Sequence, residues 1–398
     1  MSTTEVSAPT TLELPSSWGV DSDVHPNAKD GIRSLRPYLP KAWARRLNLD
    51  SRTTWGRTIN GNEINLPQAH YANTKGTMRP DAIPPDGGPP GSDPEYMVTD
   101  LLDRNDLGAA VLSPGPGLQL GGFADADLAA VLATAINEWQ ASEWLPVDPR
   151  FVGSIVVGPR DPLKAAKEIE RWGADPRFVA VYIPSIDGCT LGKRHYYPIY
   201  EAAEAYGLPI STHPGGESAG INGSMFAGGA PSYYFEYHTM FSQPSQSNLV
   251  SLVAEGVFER FPGLNFVMIE SGYAWLLEIM WRMDQKWKAT RDEIPWVKRP
   301  PSEYVVERVR VTSQPMYEPR RASQLEKMLE LIHADKLLMF SSDYPHWDTD
   351  DPVKAAERVP LAIRDSMFRT NPWSFFNLKQ AGTTTRAGLV RASTTGRA

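Results

Sequence analysis

Cysteine is almost missing from this chain. The single thiol, Cys189, cannot close an internal disulfide. It also rules out thiolate zinc clusters, so any metal must be held by histidines and carboxylates. Concentrated positive charge is lacking as well. The 40 Lys and Arg are outnumbered by 47 Asp and Glu, for a net charge of −7. No cationic cluster could track a phosphate backbone, so a nucleic-acid partner is not expected. No apolar run approaches the length of a membrane span. The most apolar region, Phe266 to Trp281, is interrupted by Glu270 and Glu278. The start, Met1-Ser-Thr-Thr-Glu-Val6, has neither a cationic segment nor an apolar one. No signal peptide and no membrane contact are therefore expected, and the expected location is cytoplasmic. No G-x-G-x-x-G joins a strand to a helix, which argues against a dinucleotide-binding Rossmann fold.

What is present is a chain of 398 residues, 41% of them hydrophobic, enough for a large core. Residues 1–16 and 381–398 are small and polar and read as flexible tails. The stretch 79–94, RPDAIPPDGGPPGSDP, has the composition of a linker. Alternating strands and helices lie only on its C-terminal side, so it reads as a long loop inside one domain, residues 17–380.

Short apolar runs recur near residues 20, 110, 154, 181, 210, 267, 308 and 339. Amphipathic segments separate most of them: 128–139, 162–172, 197–206, 246–260, 273–288, 320–333 and 352–365. Continuous apolar strands alternating with amphipathic helices predict a parallel sheet covered by helices. Eight such units favour an α/β fold of the (β/α)₈ TIM-barrel type over an open sheet. The run 305–311 is read here as the seventh strand.

In such a barrel the C-terminal strand ends form the active-site rim. Seven histidines occur, at 25, 70, 195, 213, 238, 333 and 346, and four lie at a strand end or in the loop after one. Asp23 and His25 alternate on one strand and so face the same way, as a chelating pair would. A turn aspartate beside an unrelated histidine remains the alternative. His213 ends the buried run Ile210-Ser-Thr-His213 and suits a neutral nitrogen ligand, or else a hydrogen-bonded structural imidazole. Glu270 ends Val267-Met-Ile-Glu270, where a charge is costly unless it is bound to a metal or paired, for instance with Arg310. The segment Phe340-Ser-Ser-Asp343-Tyr-Pro-His346-Trp-Asp348 delivers Asp343 as a metal ligand or a base. A helix N-cap role fits Asp348 or Asp350 better.

The segments DSDVHPN, ISTHPGG, GVFERFPGLNFVMIESGYAWL and FSSDYPHWD span residues 21–348. Through them the chain resembles the amidohydrolase-2 family, which includes aminocarboxymuconate-semialdehyde decarboxylase and the resorcylate-type decarboxylases. The resemblance implies metal ligands at Asp23, His25, His213 and Asp343, and a homodimer. It departs at two positions. Where the family often carries a catalytic histidine after "FPGL", this chain has Glu270, and Asp23 stands where amidohydrolases proper have a histidine. Asp343, Glu270 and His238 are the catalytic candidates; Tyr344, His346 and Trp347 are the substrate-binding ones.

Three readings follow. In the favoured one, a hydrolase holds one divalent ion, with zinc expected and manganese or iron as alternatives. That ion activates water against a small aromatic or cyclic substrate. The second is a non-oxidative decarboxylase of an aromatic or dienoic acid. The third is a barrel that binds a small molecule without turning it over.

Overall fold

In the computed structural model, residues 13–14, 18–47, 49, 78–184, 189–214, 229 and 231–380 are described. The expected tails, 1–16 and 381–398, lie outside them apart from Glu13–Leu14, which pairs in parallel with Lys379–Gln380. His70 lies outside them too.

Eight parallel strands form one sheet in sequence order: β1 (Gly19–Val24), β2 (Leu107–Leu112), β3 (Phe151–Val156), β4 (Phe178–Pro184), β5 (Ile210–His213), β6 (Phe266–Met268), β7 (Val309–Thr312) and β8 (Leu338–Met339). The expected (β/α)₈ barrel is what forms. Strand order follows chain order because each crossover is a helix packed on the outer face.

The seam between β1 and β8 is closed largely beyond the end of β8. Ser22 N donates to Phe340 O at 2.9 Å, Asp343 N to Asp23 O at 3.2 Å and His25 N to Tyr344 O at 2.7 Å. Ser342 N donates to the Asp21 carboxylate at 2.9 Å, so a side chain supplies one acceptor of the closing ladder. This seam sets Asp343 beside Asp23 and His25.

Inside the barrel, Val20, Ala109, Val111, Val152, Ala180, Val267 and Met339 form one apolar cluster, joined by Phe375, Phe376 and Leu378. A larger cluster packs the outer strand faces against the helices, with Phe151, Ile155, Ile169, Tyr200 and Leu276 among its members. Helix starts carry acidic caps. Asp125 accepts from Leu128 N, Asp161 from Lys164 N and Asp351 from Lys354 N, each at 2.9–3.1 Å.

Three sequence expectations need correction. The seventh strand begins at Val309, and Val305 lies in the helix Pro301–Arg308. Its valines suit a strand, but Pro301 at the first turn and Glu303 start a helix whose Tyr304 and Val305 face the core. The helix foreseen at 246–260 is two, Ser242–Ala254 and Val257–Arg260, broken by Gly256 at φ 72°. That foreseen at 352–365 divides at Pro360 into Pro352–Arg358 and Leu361–Asp365.

Candidate metal centre and active-site cavity

Four side chains converge at the C-terminal mouth of the barrel. Asp23 and His25 come from β1 and its exit, His213 from the end of β5 and Asp343 from the loop after β8. One ligand atom from each lies within 4.8 Å of the other three, and all four residues are buried. His25 Nε2 stands 2.8 Å from Asp343 Oδ1 and 3.3 Å from Asp23 Oδ2. His213 Nε2 stands 3.5 Å from Asp23 Oδ2 and 3.2 Å from Glu270 Oε2.

The ring tautomers follow from the outer partners. His25 Nδ1 lies 2.8 Å from the Ser113 carbonyl, and His213 Nδ1 meets the Pro214 carbonyl. A carbonyl can only accept, so each Nδ1 carries a hydrogen and each Nε2 turns its lone pair inward. Those lone pairs face carboxylate oxygens. Such an approach is repulsive unless a proton or a cation lies between them. Both Asp23 oxygens and Asp343 Oδ2 are moreover buried without a hydrogen bond. Two imidazole nitrogens and two carboxylates, with two formal negative charges, fit one divalent ion.

Electrostatics in the ion's absence agrees. Burial alone would raise the Asp23 carboxyl pKa, yet the facing His25 and His213 imidazoles outweigh it and hold the group below the usual carboxylate range. Asp343 shows the same contest, won by His346 and His25. Burial works to strip His25 of its proton, but Asp23 and Asp343 raise its pKa well above the ordinary value. A cation bound among these groups would compete with the proton that Asp23 and Asp343 favour on His25.

Both site acids that end a strand have left-handed backbone, Glu270 at φ 47° and Asp343 at φ 61°. The chain is kinked there, which is common for Asp and much less so for Glu. Thr312 Oγ1 accepts from Glu270 N at 3.0 Å and helps fix that turn. The Pro/Gly-rich stretch braces the opposite side. Gly91 O accepts from Asn27 N at 2.7 Å, and Pro90 O from Asn27 Nδ2 at 2.8 Å. Gly91 has φ +73°, and a Cβ there would come within 2.8 Å of the His25 carbonyl.

A cavity of about 200 Å³, partly open to solvent, adjoins the centre. His25, His213, Glu270, His346, Trp347 and Asp348 line its polar end, with Tyr234, Tyr237 and Phe241 beside them. His346 Nδ1 is bonded to Asp343 Oδ1 at 2.6 Å, and Trp347 Nε1 donates to Tyr234 OH at 2.9 Å.

Other expected residues are placed differently. Tyr344 is buried away from the cavity and donates to Asp100 Oδ2 at 3.0 Å, so it does not line the substrate space. His238 does not line the cavity either. It stands behind Glu270, 4.0 Å from Oε1, with Asp348 Oδ2 at 3.0 Å. Arg310, the salt-bridge alternative for Glu270, instead donates to the Val306 and Val309 carbonyls. Asp348 and Asp350 do not cap the following helix. Asp351 does, while Asp348 pairs with His238 and Asp350 accepts from Met316 N at 3.0 Å. Ser113 and Gly91 escaped the sequence reading because their roles run through backbone groups that carry no residue signature, and Asn27 because its partners, Pro90 and Gly91, lie more than 60 residues away.

The sequence profile of the amidohydrolase-2 family matches residues 20–378. Gamma-resorcylate decarboxylase of Polaromonas sp. (strain JS666) is 25% identical over 278 residues, covering 67% of this chain and 81% of that one. The enzyme of the same name from Rhizobium sp. (strain MTP-10005) is 26% identical over 299 residues, 71% and 86% of the two chains. Among solved structures, 5-carboxyvanillate decarboxylase of Sphingomonas paucimobilis superposes with TM-score 0.60 at 22% identity, over 93% of this chain and all of that one. A Polaromonas dihydroxybenzoic acid decarboxylase with bound manganese and 2-nitroresorcinol gives 0.58 at 19% identity, over 92% and 98%. An amidohydrolase of Mycobacterium avium subsp. paratuberculosis gives 0.65 at 20% identity, over 90% and 98%. These relatives stand closer to the decarboxylase alternative than to the hydrolase that the sequence favoured.

Proposed function

The chain belongs to the amidohydrolase-2 family, and from that premise we propose that it is a metal-dependent carboxy-lyase acting without oxidation on a hydroxylated aromatic acid. The observation that carries this reading is the buried set Asp23, His25, His213 and Asp343 at the polar end of a cavity whose other walls are mostly apolar and aromatic. Manganese is the ion inferred, since family neighbours hold it, in place of the zinc expected from the sequence.

When bound, a divalent ion supplies positive charge that orients an acid group and its neighbouring hydroxyl. The protein's own groups do the rest. Asp343 Oδ1 fixes His346 Nδ1, so His346, in its protonated form, can present the other ring nitrogen as a proton donor to the cavity. The proton adds to the ring carbon that bears the carboxylate. The bond from that carbon to the carboxylate then breaks, its electron pair restores aromaticity, and carbon dioxide leaves. Glu270, bridged to His213 and backed by His238 and Asp348, holds the polar end in register. The aromatic wall of Tyr234, Tyr237 and Phe241 excludes water from the ring.

A second reading, hydrolysis, is favoured by Glu270 itself, a carboxylate in the cavity wall able to take a proton from water. One experiment separates the two. Manganese-loaded protein is given 2,6-dihydroxybenzoate and 5-carboxyvanillate, and carbon dioxide is measured. Gas release supports the lyase. Turnover of lactones or esters with no gas from any hydroxybenzoate would replace it with the hydrolase. The single-domain span 17–380, the homodimer and the cytoplasmic location belong to the same proposal. Sedimentation of the purified chain tests the dimer.

A further inference from the structure

One buried acceptor in the cavity wall has no donor in the protein. Asn27 lines the cavity two residues beyond His25 and is 2% exposed. Its Nδ2 donates to Pro90 O at 2.8 Å, which settles which end of the carboxamide is which and turns Oδ1 the other way. Oδ1 lies against Gly115, another residue of the wall, and is buried without a hydrogen bond. Gly115 does not have the left-handed backbone that calls for glycine. Its missing side chain matters for space instead, because a Cβ there would run into Oδ1.

The same two segments hold His25. Ser113, two residues before Gly115, accepts from His25 Nδ1 at 2.8 Å. Oδ1 is therefore fixed at the metal end of the cavity, where an acid group and its ring neighbours would lie. Gln119 Oε1, further along the loop after β2, also lines the cavity and is buried without a donor. No Lys or Arg lines the cavity among the described residues. A carboxamide oxygen can only accept, and a buried acceptor left unpaired is costly. The ligand that suits this wall brings an O–H of its own. At about 200 Å³ the cavity takes one aromatic ring, so the hydroxyl belongs to that ring.

We propose that Asn27 determines specificity: its Oδ1 accepts a hydrogen bond from a second hydroxyl of the substrate, on a ring carbon next to the one that bears the acid group. The inference rests on the lyase reading for the class of substrate and adds the residue that selects a dihydroxylated ring over a monohydroxylated one.

The test separates the two parts. Binding is measured by calorimetry on manganese-loaded protein with 2-nitroresorcinol and with 2-nitrophenol, which lacks the second hydroxyl; neither has a carboxylate to lose. The wild-type protein should bind 2-nitroresorcinol about tenfold more tightly. Asn27→Leu keeps the branched shape and removes the acceptor. Its preference should fall to about twofold, the advantage that two interchangeable hydroxyls give without any bond to Asn27. Loss of the Pro90 bond weakens both compounds alike and cancels in the ratio. Gly115→Ala keeps the carboxamide but drives a methyl against its oxygen, and should lower the preference in the same way. A wild-type protein that binds the two compounds equally would overturn the proposal, as would a preference that survives in both variants. Carbon dioxide release from 2,6-dihydroxybenzoate is measured separately. A preference that the variants lose, with no gas from any acid, leaves the role of Asn27 standing and removes the lyase reading.

Discussion

Replacing Asp343 with Asn keeps the shape of the side chain and removes one of the two negative charges that a cation would meet. In the wild-type centre, Asp343 Oδ1 touches both His25 Nε2 and His346 Nδ1 at 2.6–2.8 Å. Changing groups that only orient a ligand typically costs 10- to 100-fold in metal affinity, so loss of a charged ligand should cost ~100-fold or more. The consequence for stability can be worked out. At a manganese concentration near 100 times the wild-type Kd, binding adds about 2.7 kcal/mol to the folded state. With Kd raised about 100-fold, the variant gains only about 0.4 kcal/mol at the same concentration. For a chain of 398 residues, unfolding entropy near 2.1 cal/mol/K per residue gives roughly 0.8 kcal/mol per degree. Manganese should then raise the wild-type Tm by about 3 °C and the variant's by about 0.5 °C. Paired thermal melts with and without the metal measure this directly. His333→Asn, at an exposed position, serves as the control and should behave as wild type. An Asp343→Asn protein with an undiminished metal shift would refute the assignment of Asp343 as a ligand.

Three further outcomes follow from the same geometry. His238 and Asp348 act as one unit behind Glu270, 3.0 Å apart; His238→Gln and Asp348→Asn should each lower kcat about tenfold with little change in KM, and the double variant should lose no more than either single. Fully additive losses would mean that the pair is not coupled. Burial pushes the Asp21 carboxyl up from 3.8 to about 7. Between about pH 4 and 7 the folded state therefore binds the extra proton, and stability from this group falls as pH rises, by up to about 1.4 kcal/mol per unit. In metal-free protein, Asp21→Asn should gain stability relative to wild type from pH 5 to pH 7, and parallel Tm profiles would contradict this. Gly91→Ala forces a Cβ to 2.8 Å from the His25 carbonyl at φ +73° and should cost roughly 1–3 kcal/mol while weakening manganese binding, both read from the same melts; an unchanged Tm would show that the segment does not brace His25.

The barrel was legible because its signal is local. Runs such as Phe178–Pro184 and Ile210–His213 are apolar throughout, and the helices between them show one buried face. The run 305–311 misled because valines at 305 and 306 satisfy a helix face as well as a strand, and only the proline at 301 separates the two. At the site, Asp23, His25, His213 and Asp343 were visible because each ends or follows a strand, and barrel topology alone brings such ends together. Tyr344 was misplaced because the sequence gives its neighbourhood to Asp343 but not its direction, and the strand-end kink turns it toward Asp100. The partnership of His238 with Asp348 spans 110 residues and could not be read from spacing.

The central claim is that one divalent ion sits among Asp23, His25, His213 and Asp343. Diffraction from crystals soaked in manganese, collected at the manganese absorption edge, tests it most directly. A single anomalous peak per chain, within bonding distance of a side-chain nitrogen or oxygen of all four residues, is the expected result. A peak elsewhere, or one that touches Glu270 and His238 while leaving His25 and Asp343 in contact with each other, would contradict it.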